Sequence, residues 1–148
     1  MEKAYADLGG MVKITGEYQG EFHCLAIHGP SGATLATDAP KDNQGRGEAF
    51  SPTDLTATSL ATCIVTTMAI VARRQGLELG NVRFEVTKEM SADAPRRIVR
   101  LATQVWLPLE RTDELGRLLE HAAHHCPVSQ SLHPSVEKPV TLHWSAAT

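Results

Sequence analysis

The sequence predicts an α+β protein, and two observations carry that expectation. Segments near both ends and in the middle alternate apolar and polar residues with the two-residue period of half-buried strands. Two longer stretches, reaching about Gln75 and Cys126, instead repeat their apolar residues at i, i+3 and i+4, the spacing of one helix face. The order that results, β-β-β-α-β-β-α-β, is an α+β arrangement.

Each element follows from local chemistry. "MVKITGEY" and "EFHCLAIH" alternate as strands joined through Gly20. "GPSG" at 29–32 is a turn, and "ATLATDAP" is a third short strand. The polar, glycine-bearing stretch "KDNQGRGEAFSP" (41–52) is a loop, of a length that in compact domains more often serves function than connection. Ser51-Pro52 then starts a helix, with serine at the cap, proline at the first helical position and Asp54 suited to the positive end of the dipole. This helix runs to about Gln75 and stops at Gly76. Leu60, Cys63, Ile64, Met68 and Val71 share its apolar face, and its other faces are alanine and threonine, so burial on most sides is expected. "NVRFEVTKEM" sets Val82, Phe84 and Val86 inward, "SADAP" turns the chain, and "RRIVRLATQVWLP" returns with Val99, Leu101, Thr103, Val105 and Leu107 on one side. Thr112 caps a second helix whose stripe is Leu115, Leu118, Leu119, Ala122 and Cys126, and Pro127 can start a short further turn. "KPVTLHW" is the last strand.

The 148 residues fit one domain, 1–148, with a core that needs no disulfide staples. A net charge of -3 gives no general attraction to phosphate backbones or anionic lipid, so neither nucleic acid nor membrane is an expected partner. The uncharged run "LTATSLATCIVTTMAIVA" (55–72) just reaches the ~18 residues that raise the question of a membrane span. Its five threonines and Ser59 are too polar for a lipid-facing helix, and a helix surrounded by protein is expected. "MEKAYADLGG" has no secretory pattern, and three scattered cysteines do not form a disulfide framework, so a cytoplasmic location with reduced thiols is expected.

The cysteines are the candidate chemistry. Taken singly, each reads as a small core hydrophobe, and for Cys24, on a strand face with Phe22 and Ala26, that reading stands. Cys63 and Cys126 each lie on the apolar face of a helix, and two helices sharing one core bring such faces together. Cys126, before Pro127, is placed to meet backbone N–H groups, which favour thiolate, whereas Cys63 among apolar neighbours needs a nearby cation to react. His121 and His125 are four apart, a spacing that can bind zinc, but no H-E-x-x-H or C-x-x-C accompanies them, and they read as solvated. No G-x-S-x-G supports a serine hydrolase.

"FSPTDLTATSLATC" followed far downstream by "HHCPVSQSL" resembles the OsmC/Ohr family of thiol-dependent hydroperoxide reductases. The likeness extends over nearly the whole chain, through "GPSGATLATDAP", the "SADAP" hairpin and the closing strand. The resemblance implies an OsmC-like fold with curved antiparallel sheets wrapped around central helices in an intertwined homodimer. It implies that Cys63 attacks an organic hydroperoxide and that Cys126 resolves the product, with an external dithiol as reductant and no metal, flavin or haem. In the Ohr branch a glutamate follows the motif proline and an arginine of the N-terminal region steadies the thiolate. Here Thr53 holds the first position, followed by Asp54, and no arginine precedes Arg46. Arg46 and Glu48 in "QGRGE" are therefore the candidate replacements. The alternative is an OsmC-like protein without efficient peroxidase activity, binding a small hydrophobic ligand at the dimer interface.

Overall fold

The computed structural model describes residues 10–145, so most of the N-terminal stretch read for an export signal lies outside the described residues. The chain divides after Leu55 into two compact units.

In the first unit, β1 (Ile14–Gly20), β2 (His23–His28) and β3 (Thr34–Asp38) form an antiparallel sheet in the order β1-β2-β3. The β1–β2 turn is tight: Gly20, Glu21 and Phe22 all have positive φ, of 89°, 51° and 60°. The β2–β3 hairpin pairs Ile27 with Thr34 and, at its far end, His23 with Asp38. The expected alternation between a wet and a buried face is not realised in this sheet. Ile14, Tyr18, Phe22, Ile27 and Leu35 are exposed, and so is Cys24, which is not the core filler its strand position suggested. The physical reason is that a three-stranded sheet has no second layer of its own to close a face.

In the second unit, β4 (Arg83–Met90) and β5 (Ile98–Glu110) form the expected antiparallel hairpin, with β6 (Val140–Ser145) on the other side of β5. β6 runs parallel to β5, which corrects the expectation of purely antiparallel sheets. Between them, residues 111–139 include α2 (Asp113–His124) and α3 (Pro127–Ser131), a crossover long enough to return the chain in the same direction. On the outer face the Arg83 guanidinium lies 3.6 Å from the Trp106 ring centre, and Trp106 stacks on His143 at 4.8 Å. Leu101, Thr103, Val105 and Leu107 are buried as the alternation predicts, whereas Phe84 is exposed.

The long helix α1 (Pro52–Arg74) begins in the first unit and continues through the second. Its start is a reciprocal cap: Ser51 Oγ accepts from the Asp54 backbone N–H, and Asp54 Oδ2 accepts from the Ser51 N–H. Its end is a Schellman motif, with Gly76 at φ 76° donating to Arg73 O and Leu77 donating to Ala72 O. By length and composition the helix could cross a membrane, yet Leu60, Ile64 and Met68 belong to the protein core. Burial on most sides is not what one chain provides. The buried positions are Ala57, Leu60, Ala61, Ile64, Met68 and Ala72, while Ser59, Thr62, Thr66 and Ile70 remain exposed. One small sheet and two short helices cover one face of such a rod and no more.

The core joins Leu60, Ile64 and Met68 to Leu101 and Val105 of β5 and to Leu119, Ala122 and Cys126. The Thr103 hydroxyl is buried within this unit without a hydrogen-bond partner among the described residues. An orphaned buried hydroxyl costs about 1–3 kcal/mol. Thr103→Val, of the same shape, is therefore expected to raise the unfolding free energy by about 1 kcal/mol or more, read as a higher urea midpoint at unchanged slope.

Candidate active site

The candidate side chains fall into two groups, one in each unit. In the second, Cys63 lies near the middle of α1, at the edge of its buried face, and is half-buried. Cys126 is fully buried between α2 and α3. Both belong to or pack on the same core, close enough for Cys63 to perturb the Cys126 thiol. All three cysteines are free thiols.

Cys126 caps α3 with its sulfur, which accepts from the Ser129 backbone N–H at 3.4 Å, and Pro127 occupies the first helical position. The sequence expectation was that such N–H groups favour thiolate here. Burial outweighs them: the Cys126 thiol is pushed above its ordinary value, first by desolvation and further by the neighbouring Cys63, against the pull of the Ser129 and Val128 N–H groups. Cys126 is thus a thiol that holds its proton near a second sulfur more accessible than itself. The histidines behind it point elsewhere. His121, His124 and His125 are exposed, His121 and His125 stack at 4.0 Å, and no three metal-ligating side chains gather among the described residues.

Arg46 and Glu48 lie in the first unit, on the loop after β3. A 3₁₀ turn at Lys41–Asn43 opens this loop. The Gly45 and Gly47 N–H groups donate to Pro40 O and Ala39 O, folding the loop back on itself. Gly45 is required there, because a Cβ would sit 1.6 Å from Ala39 O. Both side chains are exposed, and Arg46 Nη2 approaches Glu21 Oε2 at 3.7 Å. The structure thus brings Cys63 and Cys126 together, and Arg46 and Glu48 together, each pair within its own unit.

Sequence reasoning missed two residues beside the second pair. Asp38 is buried; its Oδ1 accepts from His23 Nδ1 at 2.5 Å, and its Oδ2 accepts from the Glu48 backbone N–H at 3.0 Å. The hydrogen bond from His23 holds the Asp38 carboxyl below the usual carboxylate range, against the opposing effect of burial. The hairpin register was the available signal. Once the turn is set at 29–32, strands closing symmetrically around it place His23 opposite Asp38.

An α+β protein of two sheets with a thiol pair between its helices defines the class. Within that class, the OsmC-like protein family matches residues 45–140, and the chain belongs to this family. Among solved structures, a Psychrobacter arcticus 273-4 protein, provisionally described as an osmotic stress induced and detoxification response protein, is 42% identical. The match covers 90% of this chain and 97% of that one, with a TM-score of 0.85. An organic hydroperoxide resistance protein OsmC from Legionella pneumophila shares the fold at 19% identity, covering 92% and 97% of the two chains, with a TM-score of 0.71. An organic hydroperoxide resistance protein from Elizabethkingia anophelis does so at 15%, covering 91% and 96%, with a TM-score of 0.75. No curated protein matches the chain.

A carboxyl held below its ordinary value stabilises the fold above that ordinary value, and this contribution is lost as pH falls through the folded-state value. Asp38→Asn is therefore expected to unfold at lower urea than the parent at neutral pH. The gap should narrow as the pH is taken below the usual carboxylate range, in paired denaturation curves.

Proposed function

We propose that the chain is a thiol-dependent peroxidase that reduces organic hydroperoxides, with Cys63 as the attacking sulfur and Cys126 as the resolving one. The observation that carries this reading is that the two thiols share one core, Cys126 within it and Cys63 packed against it. A Cys63 thiolate attacks the distal oxygen of ROOH, leaving Cys63–SOH and releasing the alcohol once its oxygen takes up a proton. The Cys126 sulfur then attacks Cys63, and its proton leaves with the sulfenic hydroxyl as water, giving the disulfide. An external dithiol returns both thiols. A resolving thiol that keeps its proton, next to a more accessible partner, suits this division of labour. Arg46 and Glu48 are the candidates for steadying the attacking thiolate and the peroxide. The names of the Legionella and Elizabethkingia proteins, organic hydroperoxide resistance proteins, agree with the substrate class.

The working form we propose is a homodimer of one OsmC-like domain per chain. The exposed apolar residues of the first sheet, together with Ile70 on the open side of α1, are what such an assembly would cover. Sedimentation is expected to give twice the chain mass, and Leu35→Glu to shift the equilibrium toward the single chain.

A second reading, a binder of a small hydrophobic ligand, is favoured by one feature of the second unit. A groove of about 400 Å³ is lined by Leu77, Leu109, Leu115 and Leu118, with Gln75, Thr112, Glu110 and Glu114 as its polar lining. One experiment separates the two. With stoichiometric organic hydroperoxide, the peroxidase reading expects a Cys63–Cys126 disulfide, seen by mass as the loss of two hydrogens. Cys63→Ser should abolish peroxide consumption, and Cys126→Ser should let Cys63 over-oxidise to the sulfinic acid. Unchanged consumption by Cys63→Ser removes the peroxidase assignment and leaves the binder.

A further inference from the structure

The thiol chemistry makes no use of the leucine groove of the second unit, and the charges that line that groove have one sign. Leu77 follows the Schellman stop of α1, Leu109 and Glu110 end β5, and Glu114, Leu115 and Leu118 belong to the first turns of α2. The Leu77 backbone is fixed by the N–H it donates to Ala72 O, yet its side chain is 40% exposed. Leu115 and Leu118, three apart and so on one helix face, are half-buried. The floor is thus aliphatic, and its volume of about 400 Å³ is that of a small-molecule site. The ionisable groups on it are Glu110 and Glu114, and none of the lining residues is basic. Arg74, Arg111 and Arg117 adjoin lining residues along the chain without lining the groove themselves. Arg111 instead rests on Gly116, where a Cβ would stand 2.8 Å from the guanidinium, and pairs with Asp113 and Glu120.

We propose that this groove binds a small aliphatic cation, with an alkyl chain on the leucines and an ammonium head at Glu110 and Glu114. The inference deepens the ligand-binding reading of the same groove and rests on it, not on the thiols. The chain supplies affinity, because each methylene moved from water onto leucine is favourable. The head supplies the choice of sign. An ammonium beside glutamate is attracted, and more strongly against aliphatic side chains than in open water, whereas a carboxylate head there meets like charge. Gln75 and Thr112 are neutral and carry both donors and acceptors, so they serve either head and do not decide between them. Glu114 lies in the first turn of α2, where the helix dipole offsets part of its charge, but Glu110 ends a strand and has no such offset. Apolar anions such as fatty acids are therefore the class this groove rejects.

The test keeps the chain and changes the head. Equilibrium dialysis of the full-length protein against octylammonium, 1-octanol and octanoate, at neutral pH and low salt, should give affinities falling in that order. An exposed ion pair contributes a factor of up to about 5, so octylammonium should bind about 5-fold tighter than the alcohol. That ratio should fall by about half or more in Glu114→Gln, and should shrink as salt is added. Leu77→Ser, at an exposed position that the fold tolerates, should weaken all the probes by a similar factor and keep their order. The ratio is read within one variant, so a reduced folded fraction cancels from it. Octanol or octanoate binding as tightly as octylammonium, or a ratio untouched by Glu114→Gln, overturns the cation and leaves the groove a site for other apolar ligands. Binding that Leu77→Ser does not weaken overturns the location. No binding of any of the three at millimolar concentration overturns the ligand-binding reading of the groove and this inference with it.

Discussion

The second unit depends on the packing of one helix face. Leu60, Ile64 and Met68 of α1 are fully buried in the same cluster as Leu101 and Val105 of β5 and Leu119 and Ala122 of α2. Each such large side chain contributes about 1.5–3 kcal/mol on burial. Both thiols are free, so no covalent link between the sulfurs holds the helices together. The geometry runs the other way. Cys63 follows Leu60 by three residues and adjoins Ile64, and Cys126 lies four residues beyond Ala122. Once the core closes, the two cysteines are carried into one neighbourhood. The Schellman stop at Gly76 and the Ser51–Asp54 cap fix where that helix begins and ends.

The same packing makes the two thiols unequal. Cys126 is sealed and its proton is held more tightly than usual, because removing a thiolate from water costs more than the Ser129 N–H returns. Cys63, one position off the buried face, keeps part of its surface open. In a reaction that requires one sulfur to meet an external oxidant and the other to wait, exposure alone separates the roles. A proton retained on Cys126 also disfavours direct oxidation of the buried sulfur, since thiolate is the reactive form. On the proposed reading, the asymmetry therefore sets the order of events without any further regulatory device.

Much of this was legible because local rules were strong where they applied. Ser51-Pro52 and Gly76 mark the ends of α1 to within a residue, and Thr112 caps α2 as expected, its side chain accepting from the Leu115 N–H. The inward residues of β5 follow from alternation because that strand is paired on both sides and backed by helices. What failed depended on partners distant in sequence. The parallel return of β6 is set by the crossover of 111–139 and not by its own residues. Cys24 alternates like a core residue, but alternation reports only which face a residue shares, not whether anything covers that face. The uncharged sides of α1 mislead in the same way: composition shows that water is poorly accommodated there, and one chain covers a single side. His23 and Asp38 escaped notice because neither lies in a motif. They meet only through the register of the hairpin.

That pair also bears on how the first unit is to be understood. Its sheet is otherwise thin and exposed, yet it buries a carboxylate at the end of β3. Burying a charge is costly, and a paired buried charge commonly does no better for stability than apolar residues of the same volume. Stability is therefore not the whole account of Asp38. What the carboxylate does is geometric: one oxygen orients the His23 ring and the other fixes the backbone at Glu48, two residues beyond Arg46. Gly45 and Gly47 fold the preceding loop so that this backbone is within reach. One side chain thus registers an imidazole, a guanidinium-bearing loop and a glutamate around a single cavity. An apolar pair at these positions would hold the strands together and lose that registration.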